Sequence, residues 1–189
     1  MIWSKMKLQL ENFLAPALTG RVEYLSTSYR YSPDKNGKCC IAVDKKKIFN
    51  MKDGTTGMKW YQSEQDIKND PAVVIPLSDA EIEHISRETG GKVPEKRLAV
   101  IARDRKLLAY AKGTMAAQTA LSKSDFYKTA EVYLNQPIET SLASTDILLN
   151  CLALMDKRVG KKRILDMEQA IKMKHSIVQY FYGLRRNLL

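Results

Sequence analysis

Residues that favour strands and patterns that favour helices occupy different stretches of this chain, and that segregation limits the folds open to it. Between about residues 20 and 75 the chain is rich in Tyr, Val, Thr and Ile set between turn-forming residues. From Ser78 onward, apolar residues recur at helical spacing. Strands first and helices later is the pattern of an α+β fold. The expected architecture is a small N-terminal antiparallel β-sheet followed by a mainly helical C-terminal part packed on it. No linker rich in Pro, Gly or Ser interrupts the 189 residues. The reading is therefore a single domain over 1–189, with a helix plus β-rich part over 1–76 and a helical part over 77–189.

Local signals fill in the elements. Ile2, Met6, Leu10, Phe13 and Leu14 space an opening amphipathic helix that Pro16 and Gly20 end. RVEYLSTSYRYS and KCCIAVD read as strands joined by the turn Pro33-Asp34-Lys35-Asn36-Gly37, and Lys45-Lys46 turns the chain into a third strand, KIFNM. Gly54-Thr55-Thr56-Gly57 reads as a loop and WYQSEQDIKND as a short helix ended by Pro71. AVVIP is a further strand or an extended crossing. Ser78-Asp79-Ala80-Glu81 is a capping box, Gly90-Gly91 stops its helix, and Pro94 suits the first turn of the next. There Leu98, Ile101, Ala102, Leu108, Ala109 and Met115 form the expected apolar stripe. Ser124 is the expected cap of a helix carrying Phe126, Ala130, Tyr133 and Leu134. Ser144 or Thr145 caps DILLNCLALMDKR, the most apolar helix, and Gly160 is the expected left-handed residue at its C-terminus. KKRILDMEQAIK and SIVQYFYGLRRNLL follow as helices, the latter docking with Tyr180 or Tyr182 partly exposed.

Composition excludes several classes. With 44% hydrophobic and 28% charged residues the chain is not expected to be disordered. Its longest apolar run, Ile147 to Met155, contains Asn150 and is too short to span a bilayer, so no membrane insertion is expected. Glu11 and Asn12 interrupt any apolar core of an export signal. Cys39 and Cys40 are neighbours whose side chains point to opposite faces of a strand, and Cys151 sits among leucines. The odd count of three reads as reduced cysteines in a cytoplasmic protein.

No catalytic, cofactor or metal motif stands out, and the balance of motifs leans against an enzyme. The nitrogen and sulfur ligands His84, His175, Cys39, Cys40 and Cys151 lack CxxC or HxxxH spacing. His84 reads as a surface residue beside acids and His175 as a helix cap. No Gly-x-Ser-x-Gly elbow and no phosphate-binding glycine loop is present, so no cofactor is implied. Asp44, Asp53, Glu64 and Asp66 are the acids whose convergence near the sheet would make a nucleic-acid-processing enzyme.

Charge is the strongest non-neutral signal. The net charge is +10, of which residues 151–189 carry +6 from nine basic and three acidic side chains. Cations near a helix C-terminus are stabilising in themselves, which accounts for Lys157 and Arg158. It does not account for Lys161, Lys162 and Arg163, which open the following helix, where positive charge is unfavourable. The expected polyanion-binding residues are Arg158, Lys161, Lys162, Arg163, Lys172, Lys174, Arg185 and Arg186. A second basic cluster, Lys38, Lys45, Lys46, Lys47 and Lys52, lies near Tyr29, Tyr31, Trp60 and Tyr61. Those aromatics either stack bases on the sheet or pack into the core.

The strings WSKMKLQLENFLAP, GRVEYLSTSYRYSPDK, KWYQSEQDIKNDP, ALSKSDFY, LMDKRVGKKRI and HSIVQYFYGLR span nearly the whole chain. Together they resemble a bacterial conserved-hypothetical protein family. The resemblance implies a bacterial cytoplasmic setting and brings no activity or catalytic residue with it. Small families of this kind are associated with conflict and immunity settings. Charge and absent motifs together favour a non-enzymatic binding protein for an acidic macromolecule, nucleic acid or acidic protein, engaged through the basic C-terminal patch. The alternatives are a nucleic-acid-processing enzyme with an acidic site near the sheet, and an immunity or adaptor module. Nothing in the sequence indicates an oligomeric state.

Overall fold

The computed structural model describes residues 2–31, 36–70, 73–117 and 120–189, the side chains of 112, 116 and 117 excepted. It is α+β as expected: a three-stranded antiparallel sheet near the N-terminus and helices after it. The elements are α1 (Trp3–Phe13), β1 (Val22–Ser28), β2 (Gly37–Val43), β3 (Lys46–Lys52), α2 (Asp53–Asn69), α3 (Asp79–Glu88), α4 (Glu95–Ala117), α5 (Lys123–Asn135), α6 (Ile138–Ala143), α7 (Ile147–Leu154), α8 (Lys161–Asp166), α9 (Glu168–Lys172) and α10 (Ser176–Arg186). Contacts gather the chain into two compact units, Met1–Gly57 with Thr119–Leu189, and Met58–Gln118. The seams between these units fall at 57/58 and 118/119.

In the first unit, the sheet has the order β1-β2-β3. The β2–β3 turn has positive φ at Asp44 (48°) and Lys45 (65°), the two-residue hairpin geometry whose twist matches that of the strands. Arg21 clamps it, donating to Asp44 from Nε at 2.9 Å and Nη2 at 2.6 Å. Of the expected β1–β2 turn, residues 33–35 lie outside the described residues, and Asn36 and Gly37 lead into β2. A Cβ on Gly37 would sit 2.0 Å from the Thr27 carbonyl oxygen, so only glycine admits this approach. Period-two alternation places Val22, Tyr24, Cys39, Ile41, Val43, Phe49 and Met51 on one buried face. Met6 and Leu10 of α1, Phe126, Ala130 and Tyr133 of α5, and Val178, Phe181 and Tyr182 of α10 belong to the same core. Helix α7 is buried all round from Leu148 to Leu154, as an apolar helix without a polar face must be. Cys151 is fully buried within it.

The second unit holds two smaller clusters. Ile85 packs with Leu98 and Ala102, and Ile67 with Leu107 and Ala111. A step of five between Ala102 and Leu107 moves the stripe of α4 from α3 to α2. It turns Leu107 inward and leaves Leu108 exposed, against expectation. The capping box is present, with Glu81 accepting from the Ser78 amide and hydroxyl at 2.9 Å each. Gly90 and Gly91 have positive φ and end α3, where the Gly91 N–H donates to the Ser86 carbonyl.

Of the two readings of AVVIP, the strand is not formed by residues 73–76, and Ala72 lies outside the described residues. Four local expectations are corrected. Gly54-Thr55-Thr56-Gly57 is not a loop but the opening of α2. The α5 cap is Ser122, whose hydroxyl accepts from the Asp125 N–H, because Asp125 returns to the Ser122 amide and completes a capping box that Ser124 cannot. Helix α7 is capped by Asp146, whose carboxylate accepts from both Leu148 and Leu149 N–H groups. Gly160 has φ −71° and caps the N-terminus of α8 instead of closing α7 in the left-handed region.

The tie between these elements is polar. Asp156, 1% exposed, follows α7. It accepts from the Tyr133 hydroxyl, from the Arg158 backbone N–H at 2.7 Å and from Arg158 Nη2 at 2.7 Å. The Arg158 guanidinium lies 4.1 Å from the Phe13 ring centroid. Backbone bonds from Ala15 to Met155 and from Lys157 to Phe13 join the end of α1 to the same loop.

Three stability outcomes follow in urea denaturation. Asp156→Asn weakens the charge-assisted bonds and lowers stability by about 1–3 kcal/mol, the half-exposed guanidinium setting the upper end. Cys151→Ser costs a similar ~1–3 kcal/mol because a hydroxyl replaces a packed thiol. Burial also pushes the Cys151 thiol above its usual range, so native Cys151 reacts slowly with bulky alkylating reagents. Gly160→Ser raises stability by a few tenths of a kcal/mol, since serine is the better N-cap. A loss of about 1 kcal/mol is the result that a left-handed Gly160 would have produced.

Candidate polyanion-binding surface

The eight C-terminal cations do not come together as one free basic face. Arg158 is removed by Asp156, which holds its guanidinium from below while Phe13 covers one side. Arg185 is removed by burial: it is 7% exposed, and its Nη2 reaches the Val159 carbonyl at 3.4 Å. Both arginines thus have partners within the fold. The remaining six lie at or near the surface, most with partners. Arg163 pairs with Glu139 at 3.0 Å and Arg186 with Glu168 at 2.8 Å. Lys161 donates to the Leu189 backbone oxygen, Lys172 to Gln169, and partly buried Lys174 to the Ser144 carbonyl. Lys162 is exposed and has no partner among the described residues. Exposed ion pairs are worth about 0–1 kcal/mol, so Arg163 and Arg186 remain exchangeable toward another anion. Helix α8 does open on positive charge, with no acid in its first turn.

The second cluster is better assembled. Register puts Lys38 directly opposite Lys52, and Lys47 opposite Ala42, on the face of the sheet that turns away from the core. Cys40 and Asn50 share that face. Burial pushes the Cys40 thiol up, opposed by Lys47 and then Lys38. The side chains of Lys38, Lys47 and Lys52 are exposed, and none of their ammonium groups has a hydrogen bond or ion pair among the described residues. Like charges directly opposite across strands destabilise a sheet by up to about 1 kcal/mol, so packing gives no reason for the Lys38–Lys52 pair.

The aromatic residues do neither of the things expected of them. Tyr29 and Tyr31 follow the end of β1 and are exposed, Tyr31 by 91%; Trp60 and Tyr61 belong to α2 and are exposed as well. The aromatic residue that β1 sends to the core is Tyr24. Among the described residues the outer sheet face carries no aromatic side chain on which a base would stack.

The acids take separate partners. Asp44 holds Arg21. Asp53 accepts from the Gly37 and Lys123 N–H groups at 2.7 and 2.9 Å, joining the starts of β2 and α5. Glu64 pairs with Lys68, and Asp66 accepts from Gln62. Among the described residues no group of three or more His, Cys, Asp or Glu is placed to hold a metal ion. His84 is exposed beside Glu88, and the His175 Nδ1 accepts from the Ile177 N–H as the cap of α10. No helix among the described residues is long and apolar enough to cross a membrane.

What the sequence missed was the facing of β3. Alternation alone would send Lys47 and Phe49 to the same side. The irregularity between Ile41 and Ala42 inserts one residue, so Lys47 and Asn50 face outward while Phe49 faces in.

No curated protein and no solved structure matches the chain. A family model matches it over residues 2–186, nearly its full length, and on that ground the chain belongs to the SF0329 protein family.

Proposed function

We propose that this chain is a non-enzymatic binding protein of the bacterial cytoplasm that engages an acidic macromolecule through the basic surface of its first unit. The observation that supports the reading is the outer face of the sheet, where Lys38, Lys47 and Lys52 stand together without anionic partners among the described residues. Charge distribution agrees. The first unit holds 21 basic and 12 acidic residues, a net of +9, whereas the second holds ten and nine. Lys161, Lys162, Arg163, Lys172 and Arg186 form a second contact region, less prominent because most of these side chains already have partners. The polyanion is held by charge, with little sequence preference, since no aromatic ring on the sheet stacks a base and no recognition-helix signature accompanies the lysines.

Fluorescence anisotropy with single-stranded DNA and with poly-glutamate tests this at about 50 mM salt, where screening is weak. Lys38→Gln with Lys52→Gln lowers affinity about tenfold or more while raising the denaturation midpoint slightly, because the repulsion between the two lysines is removed. On DNA it reduces the slope of log K against log salt by about two. Lys161→Glu with Lys162→Glu and Arg163→Glu has the smaller effect. Absence of binding to both probes at micromolar protein would overturn the proposal.

A further inference from the structure

Strand β3 is an edge of the sheet, and its free side looks into a groove. The groove has a volume of about 580 Å³ and runs between residues 47–50 of β3 and the first turns of α10, with Lys47, Ile48, Asn50, Ser176 and Tyr180 along it. At one end the edge is closed, because the Lys52 N–H donates to the Leu121 carbonyl at 3.0 Å. That bond shows which way the backbone points. In an antiparallel strand the N–H and C=O of alternate residues face the same side. Asn50 therefore directs its backbone groups away from β2, into the groove, while Phe49 and Met51 face their partners Ile41 and Cys39. The extra residue at the bulge brings Lys47 into the same outward set. The Asn50 Nδ2 lies 3.5 Å from the Lys47 carbonyl oxygen, the outer limit of a hydrogen bond, and so marks that carbonyl as facing out as well.

We propose that this edge accepts an extended acidic segment of another protein as a fourth strand, the inference resting on the acidic-partner reading above and naming its class. Strand addition supplies main-chain hydrogen bonds to the open edge, and alternate side chains supply specificity. On the incoming strand one set of side chains lies over the outer face, beside Lys47 and Lys52. The other set lies in the groove, on Ile48 and Tyr180. Charge complementarity selects the occupant. A second copy of β3 would set lysine against lysine, which is how proteins keep edges from pairing with themselves. A strand alternating acidic with apolar residues meets the lysines with its acids and the groove with its apolar side chains. The start of α10 adds the positive end of its backbone dipole to the same groove.

The probe is a short peptide alternating glutamate with valine, used with the full chain. Peptide binding is expected to slow hydrogen exchange at the Asn50 amide. Asn50→Pro, which deletes the outward N–H at a position where an edge strand tolerates proline, weakens binding about tenfold or more. Lys47→Gln weakens it several-fold and covers the case in which the proline variant fails to fold. A glutamine–valine peptide that binds as well as the acidic one would overturn the proposal. So would acidic peptide that leaves Asn50 exchange unchanged or binds Asn50→Pro and wild type alike, although polyanion binding at the sheet would then still stand. DNA that protects the Asn50 amide where the peptide does not would also overturn it, in favour of nucleic acid.

Discussion

The Asp156 carboxylate sits in the first unit with almost no access to water, and its neighbours are arranged around its charge. A buried carboxylate without donors costs several kcal/mol, so its partners must be present for this packing to exist. Tyr133 brings in α5, Arg158 folds back from the following loop, and Phe13 stacks on the guanidinium from the end of α1. The two backbone bonds between the ends of α1 and α7 come from the same place. Once these helices are joined, their apolar faces close over the inner side of the sheet, with Met6, Leu10, Phe126 and Tyr133 in one core with Tyr24 and Ile41. One face of the sheet is then committed to the interior, and the other carries the exposed lysines around the buried Cys40 and Ala42.

That division determines where positive charge is available. Arginines near the core are used as structure: Arg158 neutralises a buried acid and Arg185 is enclosed by α10's own packing. On the helical surface, charges of both signs are interspersed and find each other. On the outer sheet face they do not, because its acid, Glu23, stands on β1, the strand farthest from the Lys38–Lys52 pair's β3 side. Repulsion among Lys38, Lys47 and Lys52 has no anionic counterpart among the described residues. The same lysines keep the β3 edge from pairing with itself.

Much of the fold is legible from local chemistry. The Ser78–Glu81 capping box, the Gly90-Gly91 stop, the apolar helix around Cys151 and the capping role of His175 are each consequences of a few adjacent residues, whereas the expected Lys45-Lys46 turn lies one residue earlier, at Asp44-Lys45. Several errors fall where neighbouring residues offer similar chemistry and only a partner elsewhere chooses between them. Ser122 prevails over Ser124 because Asp125 reaches its amide, and Asp146 prevails over Ser144 and Thr145 because its carboxylate takes two N–H groups. Leu107 prevails over Leu108 because α4 changes neighbours along its length.

Order of elements, α+β class and overall charge were determined by the sequence itself, because periodicity, capping and composition act over a few residues. The facing of charged side chains was decided only by the tertiary structure. Arg158, Arg163 and Lys162 are nearly interchangeable in a string of basic residues, yet one is drawn to a buried carboxylate, one to a surface glutamate and one to water. Lys38, Lys47 and Lys52 are scattered along two strands and become one basic surface only through strand pairing and a single inserted residue. Electrostatic interaction falls off with distance in space and is indifferent to distance along the chain, so a surface built from charge becomes visible only when the chain is folded.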